Sequence, residues 1–140
     1  MVTLNILKWL EDNSFGTLDL TGSVASNGLY LEKLTQGKTG IAIFSRGAPM
    51  AIGQRVTQAF DLYSRGTNDV AGYQKLEDVL EFITASYNDQ CSLPTISGVS
   101  NKQYTNIVVM AISNVENSGL DDQDRVVYSA TCQITYNVNN

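Results

Sequence analysis

The strongest constraint in this chain is its last long segment. From Val126 to Val138 the apolar residues fall almost perfectly at alternate positions: Val126, Tyr128, Ala130, Cys132, Ile134, Tyr136 and Val138. Between them stand Ser129, Thr131, Gln133, Thr135 and Asn137. A period of two places one set on each side of a pleated strand. Arg125–Val138 is therefore expected as a long β-strand with one face on a core. Its other face, which carries no charge, is turned to water or to a partner.

The rest of the pattern mixes helix and strand. Thr3–Glu11 reads as a short amphipathic helix, with Thr3 as its cap and Leu4, Ile6, Leu7 and Leu10 at helical spacing. Thr17–Gly40 is punctuated by Gly and Ser, and Gly28–Leu34 is a strand candidate within it. Ile41–Phe44 is a short apolar run bounded by Gly40 and Gly47, and Ala48-Pro49 is expected to open a loop. Arg55–Arg65 is a strand that sends Val56, Gln58, Phe60 and Leu62 one way and Thr57, Asp61, Tyr63 and Arg65 the other. Asn68 caps the strongest helix, Asp69–Tyr87, whose stripe is Val70, Tyr73, Leu76, Leu80, Ile83 and Tyr87, widened by Val79. Tyr104–Val115 is apolar on both faces, which predicts a central strand covered on both sides. Glu116–Gly119 is expected as a turn. At 140 residues the chain fits a single domain, residues 1–140. The expected architecture is α+β: an antiparallel-rich mixed β-sheet with helices packed on one face.

The chain has no histidine. That removes the usual general base and the Ser-His-Asp and Cys-His nucleophile arrangements. Two cysteines, Cys91 and Cys132, belong to no CxxC pattern and read as free buried thiols. There is no GxxxxGK[ST] and no GxGxxG spacing, so a phosphate cradle is not expected. Asp121, Asp122 and Asp124 with Glu116 invite a hard-cation reading, but they lack the spaced ligand ladder of a calcium loop and read as a solvated turn. Glu77, Asp78 and Glu81 read as a solvated helix face. Arg46, Arg55 and Arg65 flank the strands and read as ion-pair partners, Asp61 being the nearest candidate. No enzyme activity, cofactor or metal is expected.

The net charge of −5 opposes binding to nucleic-acid phosphates, and the nine basic residues form no cluster. No leader pattern follows Met1, and no apolar run has the length of a membrane span, so no membrane partner is expected. Only 16% of residues are charged. A weakly charged polar surface is easily desolvated, which suits contacts between subunits.

The stretch V-T-Q-A-F-D-L-Y-S-R-G, from Val56 to Gly66, runs almost directly into N-D-V-A-G-Y-Q-K-L-E-D-V-L-E-F-I. The chain closes on an acidic turn and a strand that starts with Arg125 and Tyr128 in an Arg-x-x-Tyr spacing. In this order of elements, over residues 1–11 and 41–138, the chain resembles the tail terminator and minor capsid proteins of tailed bacteriophages. The resemblance implies a structural virion protein, assembled in the host cytoplasm. Such a protein forms a ring of its own copies, usually a hexamer, that caps the tail tube and joins the head-side neck. The implied partners are other copies of the chain, the tail tube protein, a neck or head-completion protein and in some tails the sheath. DNA passes through the lumen without specific binding. On the charge pattern, Asp121, Asp122 and Asp124 are the candidate lumen acids. Tyr63, Arg65, Ser129, Thr131, Gln133 and Thr135 are the candidate subunit contacts. The alternatives are a head–tail completion or neck adaptor protein and, from a different class, a small ligand-binding or hydrolytic α+β module, which would need a concave pocket with converging polar groups.

Overall fold

The computed structural model describes residues 1–85, 91–99 and 102–139. In chain order the elements are α1 (Val2–Asp12), β1 (Thr17–Leu18), β2 (Gly28–Leu31), β3 (Gly40–Ile52), β4 (Arg55–Arg65), α2 (Asp69–Thr84), β5 (Gln103–Ala111), β6 (Glu116–Leu120) and β7 (Val126–Asn139). The strands form one seven-stranded sheet in the order β1-β2-β3-β4-β7-β5, with β6 paired to the start of β7. The β1–β2 and β2–β3 pairs are parallel and the others antiparallel. The fold is α+β with both helices packed on the sheet.

Alternation in β4 and β7 builds the inner face. Phe60 and Leu62 of β4 meet Ala130, Cys132 and Ile134 of β7, with Ile41 and Ile43 of β3 alongside. Leu7 and Leu10 of α1 and Leu76, Val79 and Ile83 of α2 close this core, and all five are fully buried. Full burial of such a side chain contributes about 1.5–3 kcal/mol. The helices touch one another through aromatic rings, Trp9 and Phe15 each packing on Phe82 at 4.8 and 5.1 Å between centroids.

Several local expectations change in the folded chain. Thr3 does not cap α1; the cap position is Met1, and Thr3 is buried with its Oγ1 3.3 Å from Ser45 Oγ. The α1 surface is buried well beyond one stripe, and Pro94 O accepts from the buried Asn5 Nδ2 at 2.9 Å. In α2 the buried stripe is Gly72, Leu76, Val79 and Ile83, while Val70 is 78% exposed and Tyr73 lies against Tyr128 at the rim. Asn68 caps α2 as expected, its Oδ1 accepting from Ala71 N–H at 2.9 Å. Tyr87 lies outside the described residues.

Ala48-Pro49 opens no loop. β3 continues through both to Ile52 and turns at Gly53-Gln54 into β4, making a hairpin arm that is exposed from Arg46 to Gln54. Proline is tolerated there because the ladder is bulged between Arg46 and Met50, where no N–H is demanded of it. Gln58 holds the bulge, its Nε2 lying 3.2 and 3.1 Å from the carbonyls of Arg46 and Gly47.

β5 also departs from expectation. It lies at the end of the strand order, not at the centre. Its inner residues Ile107 and Val109 are buried, but Met110 on the other side is 59% exposed and Ile112, just past its end, 57%. Apolar residues on both faces therefore mark an uncovered sheet face here. Glu116–Gly119 is not a turn either; it lies in β6, and the turn comes after it at residues 121–125.

The Gly-rich segment is ordered by specific bonds. Tyr30 is buried, and its hydroxyl lies 2.9 Å from Thr39 O and 3.1 Å from Val24 O. Gly40 sits at φ +134°, and a Cβ built on it would fall 2.1 Å from Gly28 O. That close approach of β2 to β3 requires glycine.

Candidate subunit-contact surfaces

The β4–β7 register assembles the expected contact residues into one outer face. Tyr63 pairs with Ser129, Asp61 with Thr131, Ala59 with Gln133 and Thr57 with Thr135. The next strand adds Met110 opposite Gln133 and Val108 opposite Thr135. Tyr63, Ser129, Thr131, Gln133 and Thr135 are all half-buried in the single chain. Tyr63 meets Phe44 edge-on at 5.2 Å, and the two line an open cleft of about 410 Å³ with Leu34 and Val127.

This face is uncharged on β7 but not as a whole. Thr131 Oγ1 donates to Asp61 Oδ1 at 2.7 Å, and Arg46 Nε lies 3.5 Å from Asp61 Oδ2. The Arg46–Asp61 pairing is the one expected from sequence. The hydroxyls of Thr57 and Thr135 meet at 3.3 Å, and those of Ser118 and Ser129 are hydrogen-bonded.

Two expected residues are withdrawn from the surface. Arg65 is 3% exposed. Its Nε donates to Lys38 O at 2.8 Å, its Nη2 donates to Thr35 O, and its Nε lies 3.5 Å from Asp121 Oδ2. Asp121, with its side chain 1% exposed, also takes Arg125 Nε at 2.9 Å. The Arg65 and Asp121 side chains are therefore buried in the single chain, against the expectation of a surface contact and an open acidic group. The physical reason is the turn at the start of β7, which folds Asp121 back over the end of β4. Two guanidinium groups share one carboxylate there, and the pair ties the Gly-rich segment to the β6–β7 hairpin. Burial pushes the Asp121 carboxyl up, but N–H groups of Arg125 and Gln123 and the Arg125 guanidinium outweigh it, so its pKa lies below the usual value. Burial lowers the Arg65 pKa, against the opposing pull of Asp121.

Asp122 and Asp124 are exposed at the hairpin tip, as is Glu116 on β6. Among the described residues no group of three or more Asp, Glu, Cys or His side chains is placed to hold a metal ion. Glu77, Asp78 and Glu81 lie on the exposed side of α2, and Asp78 accepts from Gln74 one turn away at 2.9 Å. Arg55 donates to Asn106 O at 2.7 Å. Cys132 is buried in the core and Cys91 half-buried, and neither is in a disulfide. No helix among the described residues is long and apolar enough to cross a membrane.

Sequence reasoning missed the arm and the bare side of β5. Met50 and Ile52 on the arm are 70% and 81% exposed, and Leu120 on β6 is 62% exposed. The available signal was the uncharged run Gly47–Gly53, which reads as a loop only if Pro49 is taken as a breaker. No protein-family model matches the chain, and no curated protein matches it.

Proposed function

We propose that this chain is a structural protein of a tailed bacteriophage virion that works as a ring of its own copies, capping the tail tube and joining it to the neck. The observation that carries this reading is the distribution of bare apolar side chains. Met50 and Ile52 on the arm, paired with Thr57 and Arg55, share the outer face with Met110 of the edge strand, and Ile112 follows just past that strand's end. Large exposed apolar groups gathered on one face mark an interaction surface. A broad outer face that combines bare apolar side chains with an uncharged strand suits contacts between copies of the chain. The order of elements from Arg55 to Val138, with its likeness to tail terminators, supplies the particle. Net charge of −5 keeps such a ring from holding DNA as it passes. Of the three expected lumen acids, Asp122 and Asp124 remain exposed and Asp121 does not.

The test is electron microscopy of the purified chain alone and mixed with tail tubes lacking a terminator. Discrete rings, or tubes capped at one end and competent to join heads, support the reading. A protein that stays monomeric and leaves the tubes uncapped refutes it. A neck adaptor role keeps the same surfaces but predicts binding to the head portal and not to free tubes.

A further inference from the structure

We propose that Leu120, on the acidic β6–β7 hairpin of one copy, seats in the cleft between α1 and the β3–β4 arm of the next copy. This contact rests on the ring reading and specifies its subunit interface.

The cleft has a volume of about 450 Å³. Val56, Tyr104, Tyr136 and Val138 line it on the sheet side, Val2 on the helix side and Pro49 on the arm. Among the described lining residues Lys102 carries the only charged side chain, and none is a carboxylate. The Met1 amino group also opens onto it and donates to Tyr104 Oη at 3.1 Å. Burial first, and then the charge of Lys102, lowers the pKa of that amine. Lys102 and the Met1 amino group thus border an apolar hollow whose described lining holds no carboxylate, so the chemistry suits an apolar group flanked by negative charge.

The chain offers such a group at the other end of β7. Every residue of β6 is exposed, and Leu120 pairs with Val126 at the mouth of the hairpin. Around it Glu116, Asp122 and Asp124 are exposed and have no ion-pair partner among the described residues. No Lys or Arg occurs from Glu116 to Asp124. Val126 and Val138 are separated by roughly 35–40 Å of strand at about 3.3 Å per residue. Leu120 therefore cannot reach the cleft of its own chain. A knob and a hole on opposite ends of one molecule make a heterologous contact, which propagates until it closes. Asp122 and Asp124 then lie at the subunit boundary, facing Lys102, and not in the open channel.

Sedimentation velocity on the full chain, and imaging on tail tubes, test this with Leu120→Glu and Lys102→Glu. Both sites are open to solvent, so matching thermal melts will show that the variants are folded. Each variant is expected to weaken assembly at least about thirtyfold, as loss of a central anchor does. Wild-type assembly should weaken as salt rises. The decisive arm is an equimolar mixture. Leu120→Glu keeps an intact cleft and Lys102→Glu keeps an intact knob, so the mixture should form dimers and stop. Wild-type rings that persist unchanged in both variants overturn this contact and leave the ring reading standing. A wild-type chain that neither assembles nor caps tubes overturns both.

Discussion

Gly40→Ala probes the tightest point of the sheet. Gly40 opens β3 where it pairs with Gly28 of β2 and Arg65 of β4. An alanine there meets two separate costs. Its backbone must hold φ +134°, a conformation that costs a residue with a side chain about 1–3 kcal/mol. Its Cβ would also lie 2.1 Å from Gly28 O and 2.6 Å from Gly28 N. Those atoms belong to backbone in the sheet ladder, so no rotamer change relieves the clash, and overpacking of this kind adds about 1–3 kcal/mol. The sum is about 4 kcal/mol, or a fall of about 12 °C in Tm at roughly 3 °C per kcal/mol for a chain of this size. Gly37→Ala is the control. It carries φ +80° with nothing within 4 Å of the added Cβ, so it isolates the backbone cost, about 1–3 kcal/mol. Urea titrations and thermal melts of both variants give the difference directly. If Gly40→Ala falls within about 1 kcal/mol of Gly37→Ala, below the expected overpacking cost, the close approach of β2 and β3 is wrong.

Asp121→Asn should destabilise the protein at neutral pH and less so in acid. The folded pKa of Asp121 is depressed, so its contribution is fully present above the unfolded value near about 4 and is lost as pH falls through the folded one. Urea titrations of both proteins should begin to converge below about pH 4 and meet only below the depressed folded pKa, and parallel curves would contradict the buried pairing. Cys132 has its thiol pushed up to about 12 by burial and by the nearby Asp61 charge, so a thiol reagent should modify it only after denaturant is added, whereas half-buried Cys91 should react in the native protein. Asn68→Ala removes the α2 cap bond and should cost about 1 kcal/mol, read as a fall in Tm of about 3 °C.

Much of the outer face was legible because a strand's period leaves no choice of side. Once β4 and β7 are strands, Tyr63, Ser129, Thr131, Gln133 and Thr135 must share a face if the strands pair in register. The partition of Val56–Leu62 and of Ala130–Tyr136 into an inner, buried set follows in the same way. The Asn68 cap was legible because its chemistry is local, spanning three residues. Val70 and Tyr73 were misread because helical spacing fixes a stripe only to within the angular width of one residue, and the packing of neighbours then chooses its centre; Thr3 was misread as a cap because α1 already begins at Val2.

Sequence alone determined the fold class, the two helices, the main strands and which residues of β4 and β7 face inward, since all of these follow from local period and local caps. Tertiary structure alone decided strand order. That order put β5 at an edge, with Met110 and Ile112 left bare, and let β3 run past Pro49 because β4 offered a bulged partner. It also decided the fate of charge. Arg65 and Asp121 are 56 positions apart (121 − 65), and only the turn before β7 brings them together and buries them. Charge position along a chain says nothing about exposure until the chain's long-range pairings are formed.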